Sequence, residues 1–327
     1  MTPSSETTAA NEQKAPAQPG LAVMFNPRAG GGRSDSGRAD RLRRMLGSRG
    51  VLFPLERREL VTAICEGLRD RGIGTLAIIG GDGTLSIILS ELARVYGERP
   101  LPRIALLRGG SMNTIANAVG VRRAPPERLL QRLLSELPTL PTAMRNTLRV
   151  HDRIGFLFGG AVLASFLEAL YSGDGEQRGR LAALSLLARG SVQAFTGGAV
   201  IEQLQRPLEA TLSIDGEVHP TRRYLALLAG TVEQVGLGFR PLPQANADAQ
   251  HFQLLAFHGS AAMLARQLPR IRRGLAIGDG LGFAPAARSL EIDTAGAEFT
   301  YMLDGELHRT TGPLMVALGP RIELLLP

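Results

Sequence analysis

One glycine-rich stretch of the chain combines the residue types that hold a phosphate group. The apolar run 76–79 stops at two glycines, and residues 80–85, Gly-Gly-Asp-Gly-Thr-Leu, then lead into a helical pattern. Glycines at a strand-to-helix junction let the backbone approach an anion, and the N-terminus of the following helix offers free N–H groups. The stretch therefore predicts a loop that binds the phosphates of a nucleotide.

Two further glycine-bearing loops also stand between a predicted strand and a predicted helix. Residues 26–34 read Asn-Pro-Arg-Ala-Gly-Gly-Gly-Arg-Ser, and residues 108–114 read Arg-Gly-Gly-Ser-Met-Asn-Thr. Taken alone, the first of them is either a flexible turn or a second phosphate-side loop, with Arg28 or Arg33 as its charge. Loops that follow parallel strands converge on one crevice, where open α/β sheets bind ligands. Three such loops in the first part of the chain favour a nucleotide site there.

The elements that position these loops alternate between strands and helices. Apolar runs predict strands over 21–25, 51–55, 75–79 and 103–107, and helical spacing predicts helices over 39–46, 60–68, 85–95, 114–119 and 125–137. This alternation predicts an α/β fold with a parallel sheet and helices on both faces. Pro138 and Pro141 close the last helix, so we expect a domain over residues 20–142.

The remainder of the chain, residues 143–327, has a different pattern. From residue 208 onward, short alternating segments separated by turn signals predict an antiparallel sandwich or barrel, and the last of these segments is 322–326. Stretches rich in Ala and Leu over 161–171 and 178–195, and a segment over 260–273, predict inserted helices. Residues 1–19 are polar, and we expect a disordered tail there.

The tripeptide Asp-Gly-Glu occurs twice, at residues 215–217 and 304–306, each time between alternating apolar residues. Asp-Gly in that setting is the usual signal for a tight hairpin turn. A structural role therefore accounts for both copies, and the pattern alone does not single out the second as functional.

Composition limits the kinds of partner. The formal net charge is +7, and Lys14 is the single lysine, so no G-x-x-x-x-G-K-[ST] phosphate loop is present. The basic balance suits an anionic membrane surface or substrate. We expect no nucleic-acid partner, because basic runs and Trp are absent and aromatic residues are few. The single Cys65, the lack of a long apolar run and the lack of an apolar signal core favour a cytoplasmic protein.

Four motifs together resemble the diacylglycerol kinase catalytic domain superfamily, which includes bacterial diacylglycerol and phosphatidylglycerol kinases, sphingosine kinases and ceramide kinases. They are Asn26-Pro27 with Gly30, the GGDGT loop, Gly110-Ser111 with Asn113, and Asp304-Gly305-Glu306, in that order. The GGDGT element alone is shared with NAD kinases and phosphofructokinases, whereas the ordered set is more specific. The resemblance covers most of residues 20–327 and is firmest in the first domain.

The resemblance implies a Rossmann-like nucleotide domain followed by a β-sandwich lipid domain, with the active site in the cleft. It implies transfer of the γ-phosphate of ATP, with Mg²⁺, to a lipid hydroxyl, and it marks Glu306 as the general base with Asp304 beside it. Asp82 could hold Mg²⁺, orient the loop or act as the base itself, and a capping or turn role is the structural alternative. The resemblance assigns nucleotide contact to Asn26, Pro27, Gly30, Gly80, Gly81, Asp82, Gly83, Thr84, Leu85, Gly110, Ser111 and Asn113.

Some positions depart from the family pattern. Thr114 stands where a carboxylate often faces the lipid head group, and Leu55 or Glu56 replaces a nucleotide-contacting threonine. An acidic stretch that binds a structural Mg²⁺ in bacterial members keeps only Asp248, so we expect no such metal; His251 is expected on a surface strand. The leading hypothesis is an ATP-dependent lipid kinase with a diacylglycerol- or sphingosine-like acceptor, peripheral at the inner membrane face, with a homodimer as an open option. An NAD-kinase-like phosphotransferase and a non-catalytic nucleotide- or lipid-binding module are the alternatives.

Overall fold

The computed structural model describes residues 20–29, 37–172 and 180–327. The tail expected over 1–19, and the loop residues Gly30 and Arg33, lie outside these ranges. The helices are α1 Arg38–Leu46, α2 Leu60–Asp70, α3 Asp82–Tyr96, α4 Thr114–Ala118, α5 Pro126–Glu136, α6 Val162–Ser172, α7 Arg180–Thr196, α8 Ala199–Leu204 and α9 Ala261–Arg272. The strands are β1 Leu21–Phe25, β2 Gly50–Pro54, β3 Thr75–Ile79, β4 Arg103–Leu106, β5 Thr142–Arg145, β6 Leu148–Val150, β7 Arg153–Gly155, β8 Leu157–Ala161, β9 Leu208–Glu209, β10 Thr211–Ile214, β11 Glu217–Val218, β12 Arg223–Tyr224, β13 Ala226–Gly230, β14 Phe252–Phe257, β15 Gly282–Phe283, β16 Ala286–Ala287, β17 Ser289–Asp293, β18 Phe299–Leu303, β19 Glu306–Thr310, β20 Leu314–Leu318 and β21 Ile322–Leu325.

The first sheet has the strand order β2-β1-β3-β4-β21-β5, and all of its strands except β5 run parallel. Strands β1 and β3 are buried along their whole length. Such continuous apolar strands are typical of a parallel sheet covered by helices. One hydrophobic core joins this sheet to α1, α2, α3, α4 and α5. The predicted α/β architecture of the first domain, built on a parallel sheet, is confirmed.

The position of the last strand differs from the prediction. The sequence placed 322–326 among the antiparallel strands of the second domain, but Ile322–Leu325 inserts into the first sheet, parallel to β4. On its other side, β21 pairs with β5, which begins at the predicted boundary. The prediction was wrong because a strand's residue pattern reports its burial and not its pairing partner.

The second part of the chain contains two antiparallel sheets packed face to face. One has the order β11-β10-β17-β20-β6-β7, and the other runs β15-β14-β13-β8-β18-β19 with β16 beside β14. A single core joins residues of both sheets, including Phe158, Leu212, Leu254, Leu290 and Val316. Of the two predicted alternatives, sandwich and barrel, the structure is a sandwich with inserted helices.

A layer of helices covers the outer face of the second sheet. Leu163 and Leu167 of α6 pack against Leu157, Leu228 and Met302 of β8, β13 and β18. Helix α7 packs against α8 and α9 and approaches the short 3₁₀ turn at residues 236–238. Within the described residues, every helix is too short or too polar to cross a membrane.

Strand β7 connects the sandwich to helix α3. Its backbone at Ile154 faces two serines, because the Ser86 hydroxyl donates to the Ile154 carbonyl (2.9 Å) and the Ile154 N–H donates to Ser90 Oγ (2.8 Å). β7 is the last strand of its sheet, so this edge would otherwise leave unpaired backbone groups. Helix α3 starts inside the GGDGT loop, and the two hydrogen bonds therefore tie that loop to the second domain.

Candidate active site

Residues 26–29 of the first loop and the two other glycine loops lie at the carboxyl ends of β1, β3 and β4. The Gly109 N–H donates to the Gly80 carbonyl (2.9 Å). A methyl group on Gly109 would lie 2.6 Å from the Gly80 nitrogen, and one on Gly110 would lie 2.5 Å from the Gly81 Cα. These distances leave no room for a side chain, so the second and third loops require glycine for backbone-to-backbone contact.

Asn26 fastens the first loop to the second. Its side-chain nitrogen donates to Thr84 Oγ1 (2.8 Å), and its backbone N–H donates to the Ile79 carbonyl (2.8 Å). Its side-chain oxygen accepts the N–H of Arg28 (3.0 Å), which folds the chain at Pro27 into a turn. Asn26 and Thr84 thus hold each other at the start of α3.

Asp82 is the first residue of α3, and its carboxylate caps a different helix. The two carboxylate oxygens accept the backbone N–H groups of Thr114 (2.9 Å) and Ile115 (3.0 Å), which open α4. Burial raises the pKa of Asp82, while the two N–H donors and the Arg108 charge oppose that rise. The structure therefore shows the capping role that the sequence left as the alternative, and it joins the second loop to the third.

The third loop is held by its own asparagine. The Asn113 side-chain oxygen accepts the Gly110 N–H (3.0 Å), and Asn113 itself has φ of +48°. Ser111 is exposed at the tip, where its hydroxyl is free to meet a ligand. The next side chain, Met112, reaches the second domain, since a methyl group on Gly236 would lie 2.6 Å from its Cε. This contact marks one side of the cleft.

Glu306 lies across the cleft, directly over the GGDGT loop. A methyl group on Gly83 would overlap its carboxylate, with the Glu306 Cδ 2.9 Å away and its Cγ 3.0 Å away. Glu306 is nonetheless exposed. The Glu306 residue is therefore partly in solvent at the N-terminus of α3, where a phosphate would sit.

Asp304 positions the turn that carries Glu306. The turn between β18 and β19 has φ of +49° at Asp304 and +86° at Gly305, which are the values of a tight hairpin turn. The buried Asp304 carboxylate accepts the N–H of Phe156 (3.0 Å) and of Leu157 (2.9 Å). Burial raises its pKa from 3.8 to about 8, with the nearby Asp82 charge adding to the rise and the two N–H donors opposing it.

The same turn is held from the other side by α6, since the Tyr171 hydroxyl donates to the Gly305 carbonyl (2.8 Å). The first Asp-Gly pair forms a similar turn, with φ of +50° at Asp215 and +88° at Gly216. There the Asp215 carboxylate is exposed and accepts the N–H groups of Arg288 and Ser289. The two Asp-Gly-Glu copies therefore form the same kind of turn, but the first aspartate is exposed and the second is buried.

Sequence reasoning missed four residues near the cleft, three arginines and one histidine. The Arg108 guanidinium donates to Asn117 Oδ1 (2.9 Å) and to a carbonyl beyond α4, and burial lowers its pKa. His308, two residues after Glu306, has a pKa lowered to about 4 by burial and by the charges of Arg153 and Arg58. Arg58 precedes α2 and Arg153 opens β7, so cations from both domains face this strand. No local sequence motif indicates that these residues lie near the cleft.

The residues fit a nucleotide with its divalent cation. The second and third loops bring glycine backbone together at the start of α3, and the exposed residue Glu306 lies beside it. Mg²⁺ bound with a nucleotide takes most of its ligands from phosphates and water and only one or two from carboxylates. Within residues 20–29, 37–172 and 180–327, no three His, Cys, Asp or Glu side chains cluster as a metal site. Asp248 instead pairs with His251 (2.8 Å), one residue before β14.

Comparison with known proteins agrees with this geometry. Residues 20–142 match the family model of the diacylglycerol kinase catalytic domain. The fold is similar to the crystal structure of a diacylglycerol kinase from Bacillus anthracis, with a TM-score of 0.65 and 15% identity over 94% of this chain and 96% of that one. A second structure from the same organism has a TM-score of 0.69 and 16% identity over the same shares of the two chains. No curated protein matches the chain significantly.

Proposed function

We propose that this chain is a lipid kinase that transfers the γ-phosphate of ATP to a lipid hydroxyl. The premise is the match of residues 20–142 to the diacylglycerol kinase catalytic domain family. The observation that carries the proposal is the position of Glu306. A carboxylate from the second domain lies over Gly83, in the loop that the nucleotide phosphates would occupy. A kinase needs this arrangement, with a proton acceptor facing the phosphoryl donor across a cleft.

Glu306 acts as the general base in this proposal. An alcohol is a poor nucleophile until a group within hydrogen-bond reach takes its proton, and Glu306 is exposed and free to receive the acceptor. Asp82 and Asp304 support it as positioning residues. Both accept backbone N–H groups with their carboxylates, Asp82 from α4 and Asp304 from the start of β8.

The nucleotide is held by the loops and by positive charge. Backbone N–H groups at the start of α3 and the Ser111 hydroxyl face the phosphates, and Asn26 and Thr84 keep the loop in shape. Arg58 and Arg153, whose charges act on His308 two residues after Glu306, would add positive charge on that side of the cleft. Mg²⁺ would be held by the phosphates beside Glu306, and it would supply further charge compensation.

The test uses a matched pair of variants. Purified protein is incubated with Mg-ATP and, separately, diacylglycerol, phosphatidylglycerol, sphingosine and NAD, and phosphorylated product is measured. Glu306→Gln should lose about 10²- to 10⁴-fold in kcat, the usual contribution of a general base, with ATP binding unchanged. Glu217→Gln changes the same residue in the other Asp-Gly-Glu turn and should retain full activity.

Each other result has a defined meaning. Phosphorylation of NAD alone would place the chain with the NAD-kinase-like enzymes. Binding of ATP or lipid without any product would make it a binding module. Equal activity of the two glutamine variants would remove Glu306 from the mechanism and leave the base unassigned.

A further inference from the structure

Helix α7 exposes an apolar stripe along its outer side. Leu181, Leu184, Val192 and Phe195 are exposed by 83, 42, 63 and 52%, and Ala188 is exposed between them. Their spacing of three and four residues places all five on one side of the helix. Helices of soluble domains normally turn a polar face outward, and contiguous exposed apolar surface marks a contact site. We call these five residues the α7 stripe.

Helix α9, which packs against α7, is rich in exposed arginines. Arg266, Arg270 and Arg272 of α9 are exposed, as is Arg273, which follows it. The Arg266 guanidinium carbon lies 5.3 Å from the centroid of the Phe195 ring, so the basic helix borders the end of the stripe. The sequences of α7 and α9 contain no Asp or Glu. The surface is therefore apolar and cationic, without a compensating negative charge on either helix.

The combination of apolar side chains and arginines distinguishes between two possible partners for this surface, a second copy of the chain and a lipid bilayer. A symmetric contact between two copies would bring like-charged arginines together, because a two-fold interface pairs a patch with itself. An anionic bilayer instead offers headgroups to the arginines and an acyl boundary to the apolar side chains, as for other interfacial helices. Charge complementarity thus favours a lipid surface over a second copy of the chain.

The cleft lies close to helix α7. Helix α7 approaches residues 236–238, where Gly236 lies against Met112 at the tip of the third loop. Tyr171, near the end of the preceding helix α6, holds the turn that carries Glu306. A bilayer in contact with α7 would therefore lie next to the cleft, where a lipid acceptor has to enter.

We infer that the α7 stripe and the arginines of α9 dock the protein on a bilayer that contains anionic lipids. The inference names the membrane surface on which the proposed lipid kinase would find its acceptor. Only this biological purpose of docking rests on the proposed kinase function. Docking itself requires no phosphoryl transfer, so it is tested without nucleotide. A failure of the kinase assay would leave the docking result intact, and the reverse also holds.

The first experiment measures cosedimentation of the full chain with vesicles. The protein should bind vesicles of equal parts phosphatidylglycerol and phosphatidylcholine, and bind vesicles of phosphatidylcholine alone at least tenfold more weakly. Arg270→Glu should weaken binding at least fivefold, the effect expected of one basic residue near an anionic surface. Arg99→Glu, an exposed arginine on the first domain, is the matched control.

The second experiment tests the apolar part. Val192→Asp should lower vesicle binding at least tenfold, whereas Val218→Asp should not, although Val218 is similarly exposed at 58% on β11. An environment-sensitive fluorophore on Val192→Cys should shift to the blue when anionic vesicles are added. The label is site-specific because the one native cysteine, Cys65, is buried with a thiol pKa raised to about 12.

Two outcomes would overturn the inference. Equal vesicle binding by Val192→Asp and Val218→Asp, with both variants folded by circular dichroism, would show that the α7 stripe does not meet the bilayer. A change from dimer to monomer on Val192→Asp in light scattering, with vesicle binding unaltered, would assign the stripe to a contact between copies.

Discussion

Replacement of Gly83 by alanine should separate the stability of the protein from its activity. Gly83 is the second residue of α3 and is absent from the positions with positive φ, so alanine suits its backbone. Alanine is favoured over glycine in helices by up to about 1 kcal/mol. We therefore expect Gly83→Ala to leave the free energy of unfolding unchanged or to raise it slightly, as measured by urea denaturation.

The same methyl group would displace the carboxylate of Glu306, the proposed general base. It would stand 2.9 Å from Glu306 Cδ and 3.0 Å from Cγ, whereas unstrained carbon contacts are about 3.5–4.0 Å. Glu306 is exposed and can move, so its carboxylate should retreat by roughly 1 Å, and a displacement of that size can cost about 10²-fold in rate. We expect kcat for the lipid acceptor to fall by that factor.

The control is Gly67→Ala in α2, where an added methyl group meets nothing within 4 Å. It should gain about 1 kcal/mol of stability and keep full kcat. ATP binding is measured on both variants, because a methyl group that blocks the nucleotide would change the dissociation constant as well. An undiminished kcat in Gly83→Ala, or a clear loss of stability, would refute the assignment of Glu306 to this position.

Three further predictions concern the groups that support the site. Asp82→Ala should cost about 1–2 kcal/mol of unfolding free energy in urea, because α4 loses its cap, and Asp82→Asn, which keeps one acceptor, should cost less. Burial raises the pKa of Asp304 from 3.8 to about 8, so its contribution to stability is full below about pH 3.8 and is lost as the pH rises through about 8. The melting temperature of the protein should therefore fall between these pH values. It should fall more steeply than the melting temperature of Asp304→Asn, which does not titrate. Ser90→Ala should leave the Ile154 N–H without its acceptor, cost about 1–3 kcal/mol and speed hydrogen exchange at that amide, whereas an unchanged exchange rate would show that the α3 contact does not hold β7.

Much of the first domain could be predicted from sequence because its signals are local. Apolar runs that end in glycines locate the strands, the loops and the edge at which they meet. The close contact of Gly80 with Gly109 explains why both loops carry glycine. The resemblance carried by the four motifs also implied a carboxylate from the second domain, and the Glu306 side chain lies beside Gly83 of the GGDGT loop; its role as the general base stays a prediction.

The rest depends on contacts between distant parts of the chain. Asp82 caps a helix that begins more than thirty residues later, and nothing in its own surroundings indicates this. The two Asp-Gly-Glu copies have the same turn, and only burial of Asp304 against β8 distinguishes them. Pairing of Ile154 with Ser86 and Ser90 requires the two domains to be already side by side.

The insertion of β21 into the first sheet determines when that sheet can be completed during synthesis of the chain. Leu324 pairs with Ile104, and the entire sandwich lies between them in the chain. On a ribosome, the edge of β4 stays open until Ile322–Leu325 has emerged, and contacts between such distant residues form slowly. A fragment ending at residue 142 would therefore expose that edge permanently. The first sheet is therefore completed only after the residues of the sandwich have been synthesised.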